Sequence, residues 1–131
     1  MKGFINPIEK STEENGDFRR VLYTGKHLQL VLMSLSPGEA IGEEVHKDTD
    51  QFLRVEEGKG VVMIDGRSSD VSEGDAILVP AGARHNVTNT SKKSLKLYTL
   101  YSPPHHRDGF VAATKAKAEA STEHFDGKTT E

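Results

Sequence analysis

From residue 18 to residue 101 the chain is a succession of short β-like runs, each cut off by a turn, and that punctuation limits the folds open to it more than any other feature. The runs cover 18–24, 27–35, 41–46, 51–56, 61–64, 67–71, 76–79, 84–90 and 95–101. Between them lie polar or glycine-rich breaks such as Ser36-Pro37-Gly38, Gly58-Lys59-Gly60 and Ser72-Glu73-Gly74-Asp75. Asp65-Gly66 is a two-residue hairpin signal, because the mirror-image turns that suit strand twist need positive φ. The run 27–35 alternates Leu28, Leu30 and Leu32 against Gln29, Val31 and Met33, so it is apolar on both faces in part, as in a well-buried strand or one at an interface. No helical period appears before residue 110. Many short strands at this spacing indicate an all-β sandwich or barrel.

The flanks are different in kind. Residues 1–16 are polar, contain Pro7, Asn15 and Gly16, and read as an arm with one short strand around Phe4 and Ile5. After the barrel segment 17–101, Ser102-Pro103-Pro104 stops the last strand. In the extension 102–131 the stretch 112–120, rich in Ala, Lys and Glu, predicts a short helix, followed by a tail over 122–131. A length of 131 residues suits one domain over 1–131. Seventeen basic and twenty acidic residues leave a formal charge of -3, which offers no basic footprint for nucleic acid. No apolar run approaches a membrane span, and the N-terminal residues lack the apolar stretch of a secretory leader. There is no cysteine, hence no disulfide framework and no thiolate metal site. A cytoplasmic location is the expectation.

Two spaced signatures carry the chemistry. Gly74, Pro80, Gly82, His85 and Asn89 fit the pattern G-x5-P-x-G-x2-H-x3-N at every fixed position. Upstream, Gly38, Glu44, His46, Gln51 and Gly58 fit G-x5-H-x-H-x4-E-x6-G in spacing, with Glu44 in place of the first His and Gln51 in place of the Glu. On these motifs the chain resembles the small single-domain cupins, of the short kind often labelled mannose-6-phosphate isomerase-like. The resemblance implies a double-stranded β-helix, a jelly-roll-like barrel, with the C-terminal helix and tail added to it. It also implies that the two motif hairpins turn their inward faces toward each other, so that Glu44, His46, Gln51 and His85 converge.

Parity supports that picture, because alternate strand residues share a face: Glu44 with His46, and His85 with Val87 and Asn89. Two imidazoles, a carboxylate and an amide oxygen suit a divalent transition metal (Fe, Zn, Mn, Ni or Co) rather than Ca2+ or Mg2+. Glu44, His46 and His85 alone make a two-His-one-carboxylate set, the arrangement of non-haem iron oxygenases. An inward His is more often a satisfied core residue than a ligand, but four motif positions filled by ligand types favour metal. A buried Glu44 without a cation would also be costly. Gln51 reads either as a ligand or as a hydrogen-bond partner of one. A second register, with Asp48 as a ligand, breaks the spacing to Gly38. Asn89 is expected to tie down a turn, and Arg84 to face away from the pocket. Tyr98 and Tyr101 have opposite parity, so at most one faces inward. His105 and His106, after two prolines, read as a solvated loop, with an acid or base at the barrel mouth as the alternative.

The expected function is a metal-dependent enzyme acting on a small polar molecule. Two chemistries compete: oxygen-dependent cleavage, from the facial triad, and sugar-isomerase-like chemistry, because phosphomannose isomerases bind zinc through a Gln, two His and a Glu. The alternative is a non-catalytic cupin that holds a metal or small ligand. Neither nucleic acid nor membrane is expected as a partner. A homodimer is, since cupins usually pair through strands and the run 27–35 carries more apolar surface than one small barrel needs.

Overall fold

The computed structural model describes residues 1–131, and the β-like runs become ten strands flanked by two short helices. In chain order these are α1 (Ile8–Glu14), β1 (Arg19–Thr24), β2 (Gln29–Leu35), β3 (Glu44–Val45), β4 (Asp50–Glu57) and β5 (Lys59–Ile64). There follow β6 (Arg67–Ser72), β7 (Ala76–Val79), β8 (Arg84–Asn89), β9 (Leu95–Ser102), β10 (Val111–Ala112) and α2 (Lys115–Ala120). They form two antiparallel sheets, one ordered β10-β1-β2-β9-β4-β7 and the other β3-β8-β5-β6.

Alternation decides what lies between the sheets. Val31, Met33 and Leu35 of β2, Leu53 and Val55 of β4, and Leu95 and Leu97 of β9 are all 0% exposed. Val62, Val71 and Val87 meet them from the smaller sheet. The turns supply the reversals. Asp65 and Gly66 both take positive φ, +46° and +80°, which a tight two-residue hairpin between β5 and β6 requires. Gly58 is needed twice over: its φ is +90°, and a Cβ there would sit 2.7 Å from the Ser94 carbonyl oxygen.

The same parity gives the interior two ends. Toward one end the inward residues are Leu and Val. Toward the other they are Gln29, Gln51, Thr99, His85 and Tyr101, all buried. These polar residues are neighbours by register: Tyr101 lies opposite both Gln29 and Gln51, and His85 opposite Glu44.

The flanks depart from expectation in three ways. No strand forms around Phe4 and Ile5; Ile5 is fully exposed and Phe4 stacks on Tyr23 with ring centroids 5.5 Å apart. The arm instead holds α1, whose Thr12 is buried and donates to the Ile8 carbonyl. The extension is part of the fold: β10 pairs with β1, and Phe110 and Ala112 enter the core. The expected helix over 112–120 is the shorter α2, started where the Thr114 side chain accepts from the Lys117 amide. No helix is long and apolar enough to cross a membrane.

Candidate metal centre

Glu44, in β3, and His46, just after it, lie on one face, and His85 stands directly across from Glu44 on β8. One ligand atom from each of Glu44, His46 and His85 lies within 4.8 Å of the other two. His46 Nε2 is 2.9 Å from Glu44 Oε2, and His85 Nε2 is 3.1 Å from Gln51 Oε1. The structure therefore brings together all four residues singled out by spacing. Asp48 is exposed and takes no part.

The hydrogen bonds show what the group lacks. Both ring nitrogens of His85 face acceptor oxygens, Nδ1 the Ala83 carbonyl at 3.0 Å and Nε2 the Gln51 amide oxygen at 3.1 Å, and a neutral ring has one N–H to share between them. Gln51 holds its oxygen toward His85 because its Nε2 donates to Thr99 Oγ1 at 3.0 Å. His46 Nε2 is buried; despite its closeness to Glu44 it has no partner in hydrogen-bond geometry. Converging acceptors and an orphaned imidazole nitrogen are what a cation would satisfy. Separations of 2.9 and 3.1 Å also match adjacent ligands on one ion, which lie about 3.0 Å apart for bonds of about 2.1 Å at right angles. The donor set fits a divalent transition metal, and Glu44, His46 and His85 would hold it. Burial alone would raise the Glu44 pKa. The contact with His46 and the electrostatic pull of His46, Arg19 and His85 outweigh that and hold it below the usual carboxylate range.

Around this group lies a second set of rings. Tyr101, 2% exposed, meets the His46 ring edge-on at 5.9 Å between centroids. Burial pushes its phenol pKa well up, so Tyr101 stays protonated and can donate. The pair His105 and His106 is not a solvated loop. His105 packs edge-on against His46 at 4.3 Å and stacks along Tyr101 at 5.5 Å. Burial, with the neighbouring charges of His106 and His46, lowers its pKa to about 4. His106 is buried; its Nδ1 donates to Glu123 Oε1 at 2.6 Å, and its Nε2 faces the Tyr101 hydroxyl at 3.4 Å. Its pKa is also lowered, by burial first, with the Glu123 contact opposing.

Gln29 fixes this second layer. Its Oε1 accepts from the amides of His105 and His106, at 3.1 and 2.9 Å, and its Nε2 donates to the His106 carbonyl at 2.7 Å. Gln29 shares the strand face of Val31 and Met33, and that parity is the one signal in the sequence that it points inward. Arg84 behaves as expected: it is exposed and pairs with Glu43 at 2.8 Å. Tyr98 faces outward beside Phe52, leaving Tyr101 as the inward tyrosine. Asn89, 0% exposed, ties its turn by donating to the carbonyls of Leu35 and Lys93.

Comparison with known proteins agrees with this geometry. The family model described as "Cupin domain" matches residues 31–101. Uncharacterized protein YrkC of Bacillus subtilis is 49% identical over 127 residues, covering 92% of this chain and 68% of that protein. The crystal structure of BH2720 from Bacillus halodurans superposes with a TM-score of 0.89 at 49% identity, covering 92% of this chain and 96% of that one. Quercetin 2,3-dioxygenase of Bacillus subtilis is 35% identical over 78 residues, covering 59% of this chain but only 23% of the enzyme. With its two sheets, its spaced motifs and relatives that match over nearly its whole length, the chain belongs to the cupin family.

Proposed function

We propose that this protein binds one divalent transition metal through Glu44, His46 and His85 and is a metal-dependent enzyme acting on a small polar molecule, with oxygen-dependent cleavage as its chemistry. One observation carries the reading. The ligand atoms of a two-His-one-carboxylate set lie within 4.8 Å of each other at the polar end of a barrel, with His46 Nε2 buried and unpartnered. The likeness over part of the chain to a quercetin dioxygenase supports the oxygen-dependent branch over the isomerase-like one.

When bound, the metal supplies a Lewis acid and, if iron, a site for dioxygen chemistry. The chain's own residues do the rest. Gln51 orients His85 and completes the donor set. Tyr101 presents a neutral phenol beside His46; with its O–H turned to His106 Nε2, its oxygen can accept a hydrogen bond from a substrate hydroxyl. His105 is held neutral next to His46, so its ring can accept a hydrogen bond from a substrate hydroxyl without carrying charge. The 105–106 loop and Tyr101 close the inner side of the group against bulk water.

The test is oxygen uptake by iron-loaded and zinc-loaded protein against a panel of 2-oxo acids, 2-hydroxy acids, hydroxylated aromatics and quercetin. Anaerobic interconversion of hexose 6-phosphates runs in parallel. Uptake with iron that disappears with zinc is the expected result. Anaerobic isomerisation would replace the chemistry, and metal bound without any turnover would make the chain a binding module.

A further inference from the structure

Neither motif includes Arg19, yet it is the most unusual charge in the molecule. It lies on β1 with the inward parity of Val21, while Arg20 between them is exposed and pairs with Asp17. Arg19 is 9% exposed. Its Nε is buried without a hydrogen-bond partner, and it takes part in none of the chain's ion pairs. Its one evident contact is with the neighbouring Phe18 ring, 5.3 Å from the guanidinium carbon to the centroid, which satisfies a face of the cation but none of its donors.

Buried ions are normally paired, because an uncompensated one loses its hydration for nothing. Glu44 and Glu123, the carboxylates in contact with this cluster of rings, are already engaged. Glu44 faces His46, and Glu123 accepts from His106 and from the Arg107 amide. Arg19 nonetheless turns into the same barrel interior as the site, from the inward face of β1, the strand paired with β2 and its Gln29; its positive charge is felt at Tyr101, His106 and Glu123. A guanidinium in that place, with free donors in a planar fork, is built to receive an anion from outside the chain.

We propose that Arg19 is the substrate-anchoring residue of this site and that its ligand is the carboxylate of a small organic acid, whose remaining polar atoms reach toward Glu44, His46 and His85. The class follows from charge and shape: one planar guanidinium fork matches one planar carboxylate, whereas a phosphate dianion brings a second negative charge toward Glu44 and Glu123. This deepens the metal-centre reading and uses its location, but the Arg19–carboxylate contact forms with or without the ion.

The test uses the full chain, stripped of metal or loaded with zinc, with pyruvate and benzoate as probes. Pyruvamide and benzamide serve as their uncharged twins, and inorganic phosphate as the competing anion. Affinity is read by calorimetry and by the rise in thermal midpoint. At least one acid binds more tightly than its amide, and Arg19→Met weakens it about tenfold to a hundredfold. The same variant keeps its metal content, and its unliganded thermal midpoint stays level or rises, since an unpaired buried ion has been removed. If Arg19→Met does not fold, Arg19→Lys keeps the charge, loses the fork and weakens the acid about tenfold. Equal binding of acids and amides, or of native and variant protein, overturns the proposal. Phosphate binding more tightly than either acid overturns the carboxylate assignment. Metal content on the same samples separates the two readings. Arg19-dependent acid binding by protein that takes up no zinc on loading refutes the metal centre alone, and zinc uptake without such binding refutes the anchor alone.

Discussion

Glu123, His106 and Tyr101 form a chain from carboxylate to imidazole to phenol that ends beside His46. With Nδ1 committed to Glu123, His106 Nε2 is left to accept from Tyr101, so this chain sets the direction of the phenol. His105, by contrast, has no ring hydrogen bond and is kept neutral by burial. These histidines make stability depend on pH in a defined sense. The folded pKa of His105 is about 4 against an ordinary 6.5, and that of His106 is lowered too. As pH falls below about 6.5 the unfolded chain takes up protons that the folded one refuses, so stability is lost until pH passes the folded values. In chelator-treated protein the urea midpoint is expected to fall between pH 7 and pH 5, and His105→Gln to flatten that slope. An unchanged slope in the variant would show that His105 is solvated after all. The ligand residues were legible in the sequence because they sit on or beside paired strands, where parity fixes the face. His105 and His106 were not, because the direction of a loop after two prolines depends on Gln29, 76 and 77 residues away in sequence.

Among the elements, the extension does the most that its sequence did not announce. The short β10 extends the larger sheet at β1, the Phe125 amide donates to the His105 carbonyl, and Thr130 exchanges hydrogen bonds with Thr24. It is therefore a strap across the polar end of the barrel, and Gln29 on β2 is its buckle. Gln29→Leu would leave two amides and a carbonyl of the loop without their partner. We expect a loss of about 3 kcal/mol in urea unfolding, with hydrogen exchange at His105 and His106 accelerated more than in β9. Loss of stability without that local change would place the role of Gln29 elsewhere. The strands themselves were readable from alternation and turn chemistry to within a few residues. α1 was not: it is seven residues long with no side-chain cap, and it forms because Thr12 and Asn15 are buried against the sheet. β10 was not either, since two residues carry no period.

At the scale of the molecule, the apolar surplus of the run 27–35 is mostly spent within the chain, where Val31, Met33 and Leu35 are core and even outward Leu32 is 2% exposed. What remains is a patch on the outer face of the larger sheet, with Leu28 49% and Leu78 70% exposed beside half-buried Phe52 and Leu100. We propose that a second copy covers it. Light scattering at micromolar concentration should give twice the chain mass, and Leu78→Asp should give the monomer; a monomeric native protein would contradict this.

The most direct test of the metal centre is metal content by inductively coupled plasma mass spectrometry, on native protein and on Glu44→Ala, His46→Ala, Gln51→Ala and His85→Ala. The expected result is close to one transition metal per native chain, lost in the Glu44 and His variants. Gln51→Ala should retain it with affinity weakened about tenfold. No metal in the native protein, even after reconstitution with iron or zinc, would contradict the assignment of Glu44, His46 and His85 as ligands.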